Sequence, residues 1–491
     1  MSGGILLPDR SVLFLGQGTS VVSNPVPGVS SYTGPLTHAR SGHSATSLKN
    51  GQVLVAFGRD YDSDPRNKTT ELYDPVSGTW SPAGPVNHAF VSGSPGPVLL
   101  QSGKVLVVNA GIIEVYDPDT GAWSIATSSL SGTGISSVTL MPDDKVLAMG
   151  FSGAHIYDPA TTSWSDAGRL PDFLGWHTAT VLPNGRVLVV GGFPLLSASA
   201  KLYDPVSGTW SSAGSLAEKR DWHTATSLPD GNVLVIGGKT ERYTSHRIWT
   251  YNPEIIEMYD STSGLWSSVG LLPEGRVGHT ATLLPSGKVL ILGGSGTSLL
   301  ASSSLLYDPT DNSWLFVDPL NEERQGHTAT LLSNGNILVA GGQNRSGVVS
   351  LTAELYPASA VEKRRPPARP SILVPAPNQY VFTSRPVLSG TAEPGSTVHV
   401  VVDGFEMGPL AVDADGLWAI THPQLRWGEH RVVATATDAL GNTSAPSLKV
   451  AFTTTAPGHY GMNCAASPSA WQPWLLALLL AAGGLRRGRT R

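Results

Sequence analysis

Residues 279–294 read HTATLLPSGKVLILGG, and nearly the same text returns at 177–192 (HTATVLPNGRVLVVGG), 223–238 (HTATSLPDGNVLVIGG) and 327–342 (HTATLLSNGNILVAGG). A looser copy stands at 43–58 (HSATSLKNGQVLVAFG), and degenerate copies end at Gly111 and Gly150. Most copies place two apolar runs around a turn dipeptide: Asn50-Gly51, Ser102-Gly103, Asn184-Gly185, Asp230-Gly231, Ser286-Gly287 and Asn334-Gly335. Such dipeptides supply the positive φ angles of a tight primed hairpin turn. The second run, Val-Leu-Ile-Leu and its variants, is too apolar for a strand with one face in water. It predicts a strand buried on both faces. The closing Gly-Gly predicts a close approach of neighbouring backbones.

Each hairpin is followed by a second signal, a Tyr and then a Trp across a turn. The pairs are Tyr73/Trp80, Tyr116/Trp123, Tyr157/Trp164, Tyr203/Trp210, Tyr259/Trp266 and Tyr307/Trp314, with Tyr356-Pro357 as a truncated seventh. Asp-Pro initiates the turn, and the two aromatic rings are expected to pack between adjacent sheets. Hairpin plus Tyr/Trp half makes a four-stranded unit that recurs every roughly 40–55 residues, the period of a propeller blade.

Gly-Gly followed by Tyr and Trp in this order resembles the kelch repeat. The resemblance implies an all-β kelch-type β-propeller over residues 43–357, with seven blades favoured and six or eight as the alternatives. Residues 1–42 form a partial N-terminal repeat, because 3–16 (GGILLPDRSVLFLG) look like one more first half without its histidine. No secretory signal is visible after Met1. Either the natural start lies upstream, with its signal peptide, or the gene is truncated; the alternative is a genuine start with one strand donated to close the ring.

Composition agrees with many short strands. Glycine (55) and proline (37) are abundant and only 14% of residues are charged, against about 25% ordinarily. The net charge of −5 gives no basic stripe for nucleic acid. The one cysteine, Cys464, excludes an intramolecular disulfide and a thiolate zinc cluster.

A charged, Pro-rich linker over 358–370 leads to a different pattern. Short alternating strands with turns at Pro394-Gly395, Asp403-Gly404, Asp415-Gly416 and Gly441-Asn442 predict a β-sandwich over 371–455. These segments resemble the bacterial immunoglobulin-like (Ig-like) domains found on surface adhesins, which implies a spacer or adhesive unit. Asp413, Asp415 and Asp438 suit turns; a calcium site needs six or more oxygens.

Residues 456–470 are a spacer containing Cys464, and 471–491 a tail. Its apolar run, 474–485, is short for a span of ~20 residues, with Trp471 and Trp474 at one side and Arg486, Arg487, Arg489 and Arg491 at the other. Cysteine, apolar run and terminal arginines in this order resemble the myxobacterial C-terminal sorting tail (MYXO-CTERM). The resemblance implies cleavage by a sorting protease near Cys464, processing or lipidation at Cys464, and display at the cell surface. A plain C-terminal transmembrane helix is the alternative. Both place the domains in the cell envelope, outside the cytoplasm.

His43, His177, His223, His279 and His327 hold one repeat position, so they are read as structural, each hydrogen-bonded within its own blade. Arg40, Arg220, Arg276 and Arg324 precede those histidines by three positions. A ring of guanidinium groups suits carboxylates or acidic sugars. The competing reading gives them salt bridges between blades, with Glu218, Glu274, Glu322 and Glu323. Function is sought where units differ. The insertion 239–256 offers Arg242, Tyr243, His246, Arg247, Trp249 and Tyr251, and a second lies at 59–70. Aromatic and arginine side chains on a loop suit a protein or glycan ligand.

Two kelch enzyme types are resembled in part. Copper radical oxidases acting on sugars need a cysteine cross-linked to a tyrosine, and the propeller has no cysteine. A sialic-acid mutarotase-like activity on an acidic sugar needs few diagnostic residues and stays as the alternative. The leading expectation is a non-enzymatic surface protein for binding or adhesion, with no cofactor, no metal and no catalytic residue assigned.

Overall fold

The computed structural model describes residues 4–6, 12–16, 19–23, 30–58, 68–88, 96–109, 111–127, 134–150, 153–168, 175–192, 197–243, 248–251, 254–273, 275–296, 303–361 and 365–456. Two compact units divide it near Pro366.

The first unit contains seven four-stranded antiparallel sheets in a propeller-like arrangement. In the fourth sheet the strands run Thr178–Val181, Val187–Val190, Ser199–Asp204 and Thr209–Ser215, each paired with the next. The first strands touch one another in succession around a ring, and Thr328–Leu331 of the seventh sheet meets Ser44–Ser47 of the first. Closure is made by the chain's own early residues. The seventh sheet has three strands from the end of the repeat region, and Ser31–Tyr32 pairs with Glu354 and Leu355 as its fourth. Residues 31–32 thus close the seventh sheet as a donated strand. Gly4–Leu6, Val12–Gly16 and Thr19–Ser23 form a separate three-stranded sheet.

The second strand of each unit is buried on both faces, as its composition demands. Val53–Ala56, Val187–Val190, Val233–Ile236, Val289–Leu292 and Ile337–Ala340 show no exposed position. Their side chains form the layers between sheets. Between the fourth and fifth, Leu188 and Val190 pack with Val233, Val235, Tyr259 and Trp266. Each Tyr/Trp pair sits across one strand pair with ring centroids 4.8–5.2 Å apart. Trp210 and Trp266 then donate their indole N–H to Ala167 and Ala213 of the preceding sheet, both at 2.8 Å.

The hairpin turns differ from expectation. Only the glycine of each dipeptide has positive φ, as at Gly231 (+85°). Leu228 O accepts from Gly231 N–H at 2.9 Å, and Asp230 Oδ1 accepts from Asn232 N–H at 3.0 Å. This is a type I turn followed by a left-handed glycine, the three-residue hairpin solution. Pro229 at the second turn position presets the φ that type I requires. In the third sheet Asp144 occupies the left-handed position at φ +65°.

The double glycines are wedges between sheets. A Cβ on Gly237, whose φ is +61°, would lie 2.5 Å from Arg276 O and 2.6 Å from His279 Cε1 of the next sheet. Gly238 N–H donates to that same carbonyl at 2.9 Å, and Gly192, Gly294 and Gly342 repeat the bond to Arg220, Arg324 and Arg40. After the last strand, Ala358–Val361 form one helical turn whose Ala358 and Val361 are buried against the sixth and seventh sheets. The segment read as a linker from 358 thus starts as part of the ring's core.

The second unit is a sandwich of three strands (Ser371–Val374, Val387–Thr391, Leu417–Thr421) and five strands, including Thr397–Val402 and Gly428–Thr437. Thr397–Val402 alternates between partly exposed and buried positions. That period of two turns one face to a core of Val398, Val400, Val402, Trp418, Val432, Ala434 and Phe452. No helix among the described residues is long and apolar enough to cross a membrane. The tail and Cys464 lie outside the described residues.

Candidate functional site

Each repeat histidine leads into a first strand and is buried there. Its Nε2 meets a hydroxyl on the first strand of the preceding sheet: His177 to Ser137 at 2.6 Å, His223 to Thr178 at 2.9 Å, His279 to Thr224 at 3.0 Å and His327 to Thr280 at 3.0 Å. His43 closes the circuit to Thr328 of the seventh sheet at 2.9 Å. The bonds run between blades, where the sequence reading had placed them within one. The reason is register: Thr178, Thr224, Thr280 and Thr328, each next after a repeat histidine, meet the histidine of the following blade. Burial lowers the pKa of His223, His279 and His327 to about 3, with the nearby arginine acting in the same direction. His43 is held well below its ordinary value for the same reasons. These imidazoles are neutral at pH 7.

The four arginines are buried, with exposures of 0–3%. Arg220 Nη2 meets Glu257 Oε1 at 2.6 Å, and its Nη1 donates to Gly237 O and Ile255 O. Arg324 donates from Nε to Glu354 Oε1 at 2.9 Å and from Nη1 to Gly341 O at 2.7 Å. Arg40 pairs with Glu71 and donates to Phe57 O. Arg276 donates to Gly293 O, Ser303 O and Ser303 Oγ. Of the glutamates considered from sequence, Glu322 lies 3.3 Å from Arg324, and Glu274 lies outside the described residues. The main carboxylate partners are instead Glu71, Glu257 and Glu354, on the third strand of the arginine's own sheet.

Sequence reasoning missed this set. Glu71, Glu114, Glu257 and Glu354 are each buried to within 2% and each stand two residues before the repeat tyrosine. Their second oxygen accepts a backbone N–H from the connection that enters the sheet: Thr37 at 2.7 Å, Asn87 at 2.6 Å, Ala217 at 2.6 Å and Asn321 at 2.9 Å. The signal was a Glu-x-Tyr recurring in four units. Where Leu174 replaces the arginine, Lys201 replaces the glutamate.

The strand connections differ sharply between the two ends of the ring. First-to-second and third-to-fourth strands are joined by short, similar turns. At the other end the second-to-third connections range from Gly150–Gly153 to the stretch between Ile236 and Ile255. The latter contains a two-stranded ribbon, Thr240–Tyr243 against Ile248–Tyr251, in which Arg242 is opposite Trp249 and Tyr243 opposite Ile248. His246 and Arg247 lie outside the described residues, as does most of the 59–70 insertion.

This variable end also carries two tryptophans not singled out from sequence. Trp176 and Trp222 immediately precede His177 and His223, at the inner edge of the fourth and fifth sheets. Their φ angles are +52° and +54°, whereas Gly42, Gly278 and Gly326 hold this position in the first, sixth and seventh sheets. A left-handed φ costs a side-chain-bearing residue about 1–2 kcal/mol. Yet the two indoles are 42% and 50% exposed, stacked on each other at 5.5 Å and 29°.

Comparison with known proteins separates the two units. Residues 375–454 match the family model described as bacterial Ig-like domain. The sandwich is an Ig-like domain. Its Asp413 serves a turn, accepting the N–H of Asp415 at 3.0 Å and of Leu417 at 2.7 Å. One buried polar cluster ties the Ig-like domain together: His430 Nδ1 lies 2.7 Å from Asp403 Oδ2, and its Nε2 2.8 Å from Arg426 O and 3.0 Å from Thr454 Oγ1. Among solved structures the chain is similar to one described as a novel fungal alcohol oxidase with catalytic diversity among the AA5 family, in complex with copper. The identity is 17% and the TM-score 0.54, over 87% of this chain and all of that one. At that identity the likeness concerns the fold alone. No curated protein matches.

Proposed function

We propose that this chain is a non-enzymatic binding or adhesion protein of the cell surface, built on a seven-bladed kelch-type propeller. The observation that carries the reading is the fate of the repeated polar residues. The histidines and arginines that resemble a catalytic set are turned into the ring and hydrogen-bonded there. The connections that vary, and the exposed tryptophans, share one end. A protein or glycan ligand is met at that end, with the 239–256 insertion (Arg242, Tyr243, His246, Arg247, Trp249) as part of the contact. The Ig-like domain serves as a spacer, and the tail anchors the protein in the cell envelope after processing at Cys464.

Two experiments test this. Surface labelling of intact cells is expected to be lost in Cys464→Ala; undiminished labelling argues for a plain transmembrane anchor. Adhesion of cells displaying the full chain is expected to fall when 240–251 are replaced by a short Gly-Ser loop, and to persist in Arg276→Lys. The second reading is a surface enzyme acting on an acidic sugar. Mutarotation of a sialic acid by the purified chain would select it.

A further inference from the structure

We propose that Trp176 and Trp222 form a carbohydrate-binding platform at the inner edge of the ring, taking the flat C–H face of a pyranose in a glycan. The inference deepens the binding reading above and rests on it.

Three observations converge. First, both tryptophans hold a backbone conformation that the first, sixth and seventh sheets give to glycine. Strain at a bulky residue persists when something other than local folding requires it. About half of each side chain remains open to solvent. Second, the indoles stack on each other at 5.5 Å, so each restrains its neighbour and the pair offers a pre-set aromatic surface. Sugar C–H groups carry partial positive charge and are attracted to the negative face of such a ring. A rigid platform loses little entropy on binding.

Third, the chain at this edge of the ring carries hydrogen-bonding groups, the charged Asp221 and Lys239 beside Trp222 among them. The residue before the glycine or tryptophan bridges to the residue after the double glycine, which pairs Gln325 with Gln343, Val277 with Ser295 and Asp221 with Lys239. Gln325 and Gln343 are partly exposed. The Arg220 guanidinium is engaged with Glu257. The glycine side of the ring is packed backbone to backbone: Gly326 N–H donates to Gly278 O at 2.9 Å and Gly42 N–H to Gly326 O at 2.7 Å. A Cβ on Gly326 would stand 2.9 Å from Ser41 Oγ. A Cβ on Gly278 would stand 3.2 Å from Gln325 Cβ, so this position is crowded on the sixth and seventh sheets.

The test titrates the full chain with cellohexaose, chitohexaose, laminarihexaose and mannohexaose by calorimetry and tryptophan fluorescence, alongside W176G, W222G and the double variant. The expected result is binding of at least one oligosaccharide with Kd below about 1 mM. Affinity should fall at least tenfold in each single variant, while circular dichroism shows the ring still folded at the temperature of the titration. Lost affinity in a folded ring separates a binding role from a structural one. Binding unchanged in the double variant overturns the proposal. So does the absence of binding to every oligosaccharide, or binding of a proline-rich peptide in their place. If those results arise while displaying cells still adhere through the 240–251 insertion, the general binding reading survives the loss of this one.

Discussion

The ring and the Ig-like domain are both all-β, yet they solve the problem of packing sheets in opposite ways. In the Ig-like domain a strand such as Thr397–Val402 alternates, one face feeding a single apolar core and the other partly exposed. Its main buried polar cluster is centred on His430. In the ring the second strands are buried on both faces, and successive sheets are joined by buried histidine–hydroxyl bonds as well as by apolar layers. The lesson is that a residue which looks chemical can be structural when the fold uses it once per repeat. A sheet buried on both faces must bring the incoming chain's polar backbone into the interior, where each group needs a partner. The arginine–glutamate pairs and histidines answer that need.

The comparison can be broken most severely with acid. An unfolded histidine takes up a proton near pH 6.5, whereas His223, His279 and His327 resist until about 3. Between those values the unfolded chain holds more protons than the ring. Stability is therefore fully present above pH 6.5 and is lost as pH falls towards 3. The ring's melting temperature should drop by roughly 10 °C or more between pH 7 and pH 4. The Ig-like domain, where burial lowers His422, should drop less. Scanning calorimetry across that range reads both transitions.

Next in size is the ion pair. Arg220→Met leaves Glu257 buried without its cation and should destabilise the ring by about 3–5 kcal/mol. Adding Glu257→Leu should restore much of that loss, because replacing both charges removes the uncompensated one. Chemical denaturation of the three proteins checks it. Gly237→Ala follows, at about 1–3 kcal/mol, from the collision of its Cβ with Arg276 O and His279. The smallest effect falls on the other unit. His430→Ala should lower the Ig-like transition by about 1–3 kcal/mol and leave the ring's transition in place.

The repeat, the doubly buried strands and the sandwich were legible because each has a periodicity that burial dictates. The type I turn was less so, since a Pro-Asp-Gly run and a two-residue Asp-Gly hairpin share their last two letters. The partners of the arginines went unseen for a geometric reason. Glu257 stands 37 residues after Arg220, and antiparallel pairing brings them together across the sheet. Trp176 and Trp222 were visible as letters, but their strain and stacking exist only once the fourth and fifth sheets are adjacent.

The most direct test of the central account is a pH titration of the histidine side chains by nitrogen-15 NMR on the folded protein. The account predicts that His223, His279 and His327 stay neutral from pH 7 down to about 4, or to the point at which the ring unfolds, each as a single tautomer. Titration of those imidazoles near pH 6.5 with the ring still folded would contradict it, because it would place them in solvent and leave the links between sheets without their hydrogen bonds.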